Sequence, residues 1–390
     1  MKLSTIASGL ETSLTRQLFN KTKRFTDVID LTLGDPDLVP SEKIRNAACD
    51  AIQSGKTRYS VNAGLIKARE AISGCFETEY GMHINPNSEI MLTIGGMGAL
   101  YLSLAAIVNP GEEVLVIGPY YVNYIQMIRM CGGKPVVVYT EPQNCFQIDL
   151  ERLEAAVTDK TVALILNTPC NPTGSVINGK MLDALALFAK RHDIIVISDE
   201  VYRNLIYDGK NHDSIITRSG MKERTVLVDS MSKRFAMTGY RCGYAVGPEM
   251  IISAMTKMQE NIASCTPLPS QYAAIEAYTN CTRDHWITAE FEKRRDKMWK
   301  AINIIPGLSC AKPAATFYLF VSIEETGIDS ISFANQLLDA QHVAVVPGVT
   351  YGEPYNQFIR IAYTMPIDRL DEAVSRIDSF CKHIKTRTIE

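Results

Sequence analysis

Short apolar runs rich in β-branched residues alternate with segments of helix length between residues 89 and 247. The runs are EIMLTI, EEVLVIG, PVVVYT, TVALILN, DIIVISDE, TVLVDS and YRCGYAVG, and the segments after the first four span 97–108, 120–131, 150–157 and 179–192. Strands of a parallel sheet are buried on both faces, so they appear as continuous apolar runs joined by helices. The pattern predicts an α/β protein whose large domain holds a mostly parallel mixed sheet covered by helices.

The two ends of the chain have a different pattern. Residues 1–45 contain an amphipathic stretch and the turn LTLGDPD, and residues 290–390 mix a charged helix (FEKRRDKMWKAI) with short strands such as TFYLFVSI and FIRIAYT. At 390 residues the chain is longer than one hydrophobic core usually holds. We therefore expect a large domain at 46–289, and a smaller α+β domain with an N-terminal arm made from 1–45 and 290–390.

Composition and charge narrow the class of partner. Hydrophobic residues make up 46% of the chain, the net charge is -3 and the pI is about 6.1, which argues against nucleic acid or an anionic membrane as a partner. The ten cysteines and six histidines are scattered, so neither a disulfide framework nor a metal site is predicted. The longest apolar runs have strand length, and we expect a cytoplasmic protein with reduced thiols that acts on small molecules.

Polar clusters follow several of the predicted strands, where open α/β sheets bind their ligands. In TIGGMGAL, the glycines Gly95, Gly96 and Gly98 precede a helix and let backbone N–H groups approach a phosphate, although glycines at such a turn also serve simple turn geometry. The run lacks the last glycine of a dinucleotide fingerprint, and EEVLVIGPYY offers no acid for a ribose. A nicotinamide dehydrogenase is therefore the weaker interpretation.

Two charged residues at strand ends indicate a ligand with a basic ring and an aldehyde. Asp199 ends DIIVISDE, where a buried acid needs a cationic partner unless it only caps the next helix. Lys233 follows TVLVD in an apolar, hydroxyl-rich loop, where burial and nearby Arg241 would lower its pKa and suit a nucleophile. A single lysine after a strand is more often a surface charge, so the neighbouring residues carry this interpretation. Ser230, Ser232 and Arg241 can bind phosphate oxygens. These clues together indicate pyridoxal 5'-phosphate (PLP).

The motifs SMSKRFAMTGYRCG, NPTG and SDEVY, in this order, resemble those of the class I/II aminotransferases of PLP fold type I, the group that includes aspartate aminotransferase. The resemblance extends from LTLGDPD through TRYSVNAG to FIRIAYT, nearly the whole chain. It implies the fold type I architecture, a homodimer with shared active sites, and ping-pong transfer of an amino group from an L-amino acid to a 2-oxo acid.

The resemblance also implies roles for individual residues. Lys233 forms the Schiff base, Asp199 pairs with the ring nitrogen, and Tyr202 joins them as a catalytic residue. The cofactor is implied to be held by Tyr59 of the neighbouring subunit, Gly96, Met97, Tyr121, Asn171, Asp199, Tyr202, Ser230, Ser232, Lys233 and Arg241. The substrate is implied to be held by Gly34, Asn171 and Arg360. Arg360 interrupts an apolar strand, where a substrate carboxylate or an internal salt bridge would offset the cost of its burial.

Several points stay open at this stage. A C–S lyase or an aminocyclopropane-carboxylate synthase on the same fold shares the cofactor residues, and a non-catalytic PLP-binding regulator is an alternative of another class. Met97 stands where a hydroxyl residue is often found, and Cys242 where an aliphatic residue is usual. Cis peptides are expected before Pro119 and Pro172, and Arg16 or Arg234 is considered as an anchor for a distal carboxylate. Residues 10–25 are expected to move over the cleft by analogy with the family.

Overall fold

The computed structural model describes residues 2–10, 14–282 and 285–389. The α-helices, α1 to α14 in chain order, are Thr5–Gly9, Leu14–Thr22, Glu42–Gln53, Ile66–Tyr80, Gly95–Ile107, Asn123–Met130, Leu150–Ala155, Gly179–Arg191, Met231–Arg234, Glu249–Ile262, Leu268–Asn280, Trp286–Ile302, Ser330–Gln341 and Ile367–Ile389. The strands, β1 to β12, are Ile29–Asp30, Ile90–Ile94, Glu113–Gly118, Lys134–Tyr139, Thr161–Asn167, Ile195–Asp199, Thr225–Ser230, Cys242–Val246, Tyr318–Ser322, Val343–Ala344, Val346–Pro347 and Phe358–Ala362.

Local sequence explains where several helices begin. Asn178 precedes α8 in extended conformation, and its side chain accepts a hydrogen bond from the backbone N–H of Met181. Asp149 and Asp329 do the same for α7 and α13. A side-chain oxygen at this position satisfies an N–H group that the first turn leaves without a partner. The helices therefore start at defined residues, which fixes the loops between strand ends and helices.

The large sheet has seven strands in the order β2-β8-β7-β6-β5-β3-β4. Strands β7, β6, β5, β3 and β4 are parallel, and β8 runs antiparallel to both β7 and β2. This arrangement confirms the predicted mixed, mostly parallel sheet. Asn167 lies opposite Asp199, and Asp199 lies opposite Val228, so the carboxyl ends of β5, β6 and β7 meet at one edge.

The two chain ends pack together beside this sheet. β1 pairs in parallel with β10, so that Ile29 lies opposite Val343, and β11, β12 and β9 form an antiparallel sheet. Residue 46, the expected domain boundary, falls inside α3, whose Ile44 packs in the same apolar cluster as Phe76 of α4. The division at 46 and 289 stays a prediction. No helix within the described ranges has the length and apolar character needed to cross a membrane.

Candidate active site

A cleft of about 690 Å³ opens at the carboxyl edge of the large sheet, between β5, β6 and β7 on one side and β12 on the other. Twelve of the thirteen site residues predicted from the sequence line it: Gly34, Gly96, Met97, Tyr121, Asn171, Asp199, Tyr202, Ser230, Ser232, Lys233, Arg241 and Arg360. The thirteenth, Tyr59, is 86% exposed and lies on the outer surface of the chain. The fold thus brings together residues from positions 34 to 360.

Lys233 lies in the short helix α9, directly after β7. Its Nζ donates a hydrogen bond of 2.6 Å to the backbone oxygen of Gly34 and forms no ion pair with any described residue. Burial lowers the pKa of Lys233 to about 8; the charge of Asp35 opposes this shift, and those of Arg241 and Arg360 add to it. A lysine in this range has a substantial neutral fraction near neutral pH, as a nucleophile or a proton acceptor requires.

Asp199 ends β6 and is only 3% exposed. The hydroxyl of Tyr124 donates to its Oδ2 at 2.5 Å and the backbone N–H of Val201 donates to its Oδ1 at 3.3 Å, but no described residue forms an ion pair with it. Burial raises the pKa of Asp199 to about 6. A buried carboxylate without a cation is costly, so this position fits a ligand that presents a protonated ring nitrogen.

An anion site lies at the start of α5. The structure places Gly95 as the first residue of this helix, with φ +66°, so the glycines form its first turn instead of preceding it. A Cβ at Gly95 would lie 2.6 Å from Nη2 of Arg241, whose Nη1 donates to the oxygen of Thr238 at 2.7 Å. Ser230 and Ser232 are hydrogen-bonded to each other at 2.8 Å. A helix N-terminus, an unpaired guanidinium and two hydroxyls fit a phosphate.

Arg360 is 5% exposed in the middle of β12. Its Nη1 donates to Oδ1 of Asn171 at 3.0 Å and its Nη2 donates to the oxygen of Thr32 at 2.5 Å, whereas its Nε has no hydrogen-bond partner within the described ranges. The guanidinium lies 4.2 Å from the ring centre of Tyr318, and none of the described acidic residues forms a salt bridge with it. The internal salt bridge considered from the sequence is therefore not observed, and the site fits a carboxylate ligand.

Tyrosine and asparagine side chains complete the cleft, and five of them were not predicted: Tyr124, Tyr318, Tyr351, Asn123 and Asn167. The backbone oxygen of Thr32, which accepts a hydrogen bond from Arg360, was also missed. Asn167 accepts a hydrogen bond from the backbone N–H of Asn171, and Tyr318 shares one of 3.0 Å with Tyr202. The position of Asn167 at the end of TVALILN was a usable signal, because ligands bind beyond strand ends. Nothing local distinguished Tyr124 from Tyr120 or Tyr121.

Arg234 is not an anchor for a distal carboxylate, so that suggestion is wrong. Its Nη2 forms a salt bridge of 2.8 Å with Glu79, and it lines a separate cavity behind α9. The side chain of Arg16 and residues 11–13 lie outside the described part, so their predicted roles stay untested. The expected cis peptides Gly118–Pro119 and Asn171–Pro172 are confirmed, and a third, Thr168–Pro169, was not predicted.

Comparison with known proteins identifies the family. Residues 26–377 match the family model described as aminotransferase class I and II. This chain belongs to the class I and II aminotransferase family. An aspartate aminotransferase of Pyrococcus abyssi is 40% identical over 375 residues, which cover 95% of this chain and 96% of that protein. The aromatic-amino-acid aminotransferase 2 of Thermococcus litoralis is 37% identical over 390 residues, which cover 99% and 100%.

A solved structure supports the same assignment. The aromatic aminotransferase from Pyrococcus horikoshii superposes with a TM-score of 0.89 at 39% identity, covering 94% of this chain and 99% of that one. The predicted fold type I is confirmed. The chain is a PLP-dependent aminotransferase that transfers an amino group from an amino acid to a 2-oxo acid. These matches favour transamination over the lyase, regulator and dehydrogenase alternatives.

Proposed function

We propose that Lys233, Asp199, Arg241 and Arg360 are the charged groups that perform this aminotransferase reaction. One observation supports the assignment: all four line the same cleft, and none forms an ion pair with another described residue. Lys233, Asp199 and Arg360 are enclosed without a partner, which is costly unless a ligand supplies the opposite charge. Arg241 is exposed, and it is assigned by its position beside Gly95 at the start of α5. A phosphate, a protonated ring nitrogen and a substrate carboxylate would supply those charges.

The cleft offers groups that would hold the cofactor at both ends. Its phosphate would be bound by Arg241, the backbone N–H groups of the first turn of α5, and the hydroxyls of Ser230 and Ser232. At the other end Asp199 would keep the ring nitrogen protonated, and Tyr121 would supply an aromatic face to the cofactor. Asn171 and Tyr202 are proposed to bind the ring oxygen. When bound, PLP supplies an aldehyde carbon that takes up the amino group and a ring that accepts the electron pair released at the α-carbon.

The reaction requires that the α-carboxylate of the substrate is held in place and that the proton of the α-carbon is moved. Arg360 binds the α-carboxylate with its unpaired Nε and its Nη groups, and Asn171 and the backbone of Gly34 hold the same group in place. Lys233 would then take the α-proton on Nζ and return it to the carbon that carried the cofactor's aldehyde, two bonds from the α-carbon, so that hydrolysis by water releases the 2-oxo acid and leaves the amino group on the cofactor. Because burial holds its pKa near 8, Nζ accepts and releases protons readily at neutral pH.

The test of this assignment is Lys233→Ala. We expect kcat to fall by at least about 10³-fold, because both the covalent link and the general base are lost. The matched control is Lys257→Ala, which removes an exposed lysine of α10 and should leave kcat unchanged. Bound PLP is measured by absorbance and folding by circular dichroism in each variant. Turnover of Lys233→Ala at the wild-type rate would contradict the proposal.

We further propose a homodimer in which Tyr59 reaches the phosphate of the partner's cofactor. Tyr59 is 86% and Val61 is 59% exposed in the single chain, and TRYSVNAG matches the family motif for this contact. Large exposed apolar side chains close together favour an interface. Two inactive chains, Lys233→Ala and Tyr59→Ala, should regain activity when they are refolded together, because each mixed dimer contains one intact site. Random mixing gives about a quarter of wild-type activity, and no recovery would contradict shared sites.

A cytoplasmic location is proposed on the state of the cysteines. Eight of the ten cysteines, including the buried Cys75 and Cys242, are free thiols in the structure. Free thiols persist in reducing compartments. Alkylation of the native protein after rapid lysis, followed by denaturation and mass spectrometry, should find these eight cysteines unpaired; disulfides at defined pairs among them would contradict this location.

A further inference from the structure

One wall of the cleft is formed by the first turn of α5 and the loop that leads into α6. Met97, Tyr121, Val122 and Asn123 lie on this wall. The Tyr121 hydroxyl donates to the sulfur of Met97 at 3.7 Å, and Nδ2 of Asn123 donates to the same sulfur at 3.5 Å and to the Tyr121 oxygen at 3.2 Å. Tyr121 and Asn123 therefore donate their polar hydrogens to acceptors on the same wall, and the thioether of Met97 accepts two of these hydrogen bonds.

Within one subunit, the described residues of the cleft leave no cation for a second carboxylate. Lys233, Arg241 and Arg360 are the basic residues among the described ones that line it, and the proposed function occupies all three. Asp35 also lines the cleft, accepts a hydrogen bond from Thr238 at 2.7 Å, and raises the pKa of Lys233 against the effect of burial. A carboxylate on the substrate side chain would meet this negative charge without compensation, which opposes its binding.

Several of the other residues that line the cleft offer apolar contact. Leu33 lines the cleft and is 40% exposed, although most leucines of this chain are buried. Val122, Met97 and the ring of Tyr351 also line it. Thioether, aliphatic and aromatic groups stabilise an apolar or aromatic side chain by removing its surface from water.

We infer that this aminotransferase selects amino acids with an uncharged apolar or aromatic side chain, and that Met97 is a residue that determines this specificity. The inference rests on the proposed function, because Lys233, Arg241 and Arg360 must be occupied by the cofactor and the α-carboxylate. It names the substrate class of the same cleft. The backbone of Met97 faces the cofactor phosphate in the proposal, whereas its side chain faces Tyr121 and Asn123.

The first experiment compares amino donors on the wild-type holoenzyme. The rate at which the 2-oxo acid product forms is measured for phenylalanine, leucine, aspartate and glutamate. We expect kcat/KM for phenylalanine to exceed that for aspartate by at least tenfold. Affinities for 3-phenylpropionate and succinate, which resemble the two donors without an amino group, are measured by calorimetry and should differ in the same direction.

The second experiment changes Met97. Met97→Lys places a cation on the wall and should raise the ratio of aspartate to phenylalanine kcat/KM at least tenfold, together with the affinity for succinate. Met97→Leu, of similar volume and no charge, is the matched control and should leave that ratio within twofold of wild type. Bound PLP is quantified in both variants, so that a loss of cofactor is recognised.

The outcomes separate this inference from the proposed function. If the wild-type enzyme turns over aspartate as efficiently as phenylalanine, the inference is wrong while the proposed function stands. The same holds if Met97→Lys binds succinate no better than Met97→Leu does. If no amino acid is turned over although PLP is bound, the proposed function itself is wrong.

Discussion

Replacement of Asp199 by asparagine should stabilise the protein without its cofactor. Asp199 is 3% exposed, its pKa is raised to about 6 by burial, and no described residue offers it a cation. Asparagine stands in for the protonated acid, since it is neutral, has nearly the same shape, and can still accept the hydrogen bond from Tyr124. The substitution thus removes a buried charge while it keeps the local packing.

The size of the effect follows from the shift in pKa. The pKa of Asp199 rises from 3.8 to about 6, roughly two units, and each unit corresponds to about 1.4 kcal/mol. Because the folded-state pKa is the higher one, the folded protein holds its proton at a pH where the unfolded chain has released it, and stability falls as the pH rises through this window. The cost of the charge is therefore about 3 kcal/mol above pH 7 and roughly half of that at pH 5.

The assay is urea unfolding of the PLP-free protein at pH 8 and at pH 5. Asp199→Asn should be more stable than wild type by about 3 kcal/mol at pH 8 and by about half as much at pH 5. With PLP bound the order should reverse, because the cofactor stabilises only the chain that retains the carboxylate. A gain of the same size at both pH values, or no gain at pH 8, would refute the reasoning.

A second buried aspartate provides the matched control. Asp229 is 1% exposed, but its Oδ2 accepts hydrogen bonds of 2.7 Å from both Arg203 and Tyr244. Asp229→Asn removes one partner of a buried ion pair, which typically costs about 3–5 kcal/mol. The two substitutions are chemically identical but should change the free energy of unfolding of the PLP-free protein in opposite directions. Of the two carboxylates, Asp229 has a cation in Arg203, whereas Asp199 has none among the described residues.

Two further substitutions test the ends of the cleft. Arg360→Lys cannot reproduce the planar guanidinium that contacts Asn171 and Thr32, so kcat/KM should fall at least about 100-fold. Steady-state kinetics measures this effect, and an unchanged kcat/KM would exclude Arg360 as the carboxylate site. Tyr124→Phe removes the hydroxyl that donates to Asp199, which disfavours the carboxylate form and should weaken PLP binding about tenfold. Fluorescence titration of the PLP-free protein measures that affinity, and an unchanged value would mean that Tyr124 does not hold Asp199 in its charged form.

The sheet and many site residues were predictable because both depend on local pattern. TVALILN and TVLVDS coincide with the strands Thr161–Asn167 and Thr225–Ser230. A run of continuous apolar residues predicts each buried strand, and the polar residues that follow the run lie at the ligand-binding edge of the sheet. Lys233 and Asp199 were singled out in this way before any comparison. Their assignment to PLP also drew on the family motifs, which local pattern alone does not provide.

Contacts between distant positions were decided by the tertiary structure. Lys233 and Arg234 are adjacent in sequence, yet the Nζ of Lys233 lies in the cleft whereas the guanidinium of Arg234 pairs with Glu79. The two side chains differ because successive residues of a helix point in different directions. The sequence could not show that no described acidic residue pairs with Arg360, since its neighbours Thr32 and Asn171 are 328 and 189 positions away. Nor could it select Tyr124, which is 75 positions from Asp199.

The amino-acid sequence by itself therefore determined which segments become buried strands and which reactive groups stand at their ends, because hydrophobic period and turn chemistry act over a few residues. Only the tertiary structure decided which buried charge has a partner and which does not. That difference depends on packing between segments far apart in the chain, and it distinguishes Asp229, neutralised by Arg203, from Asp199, whose carboxylate has no cation among the described residues.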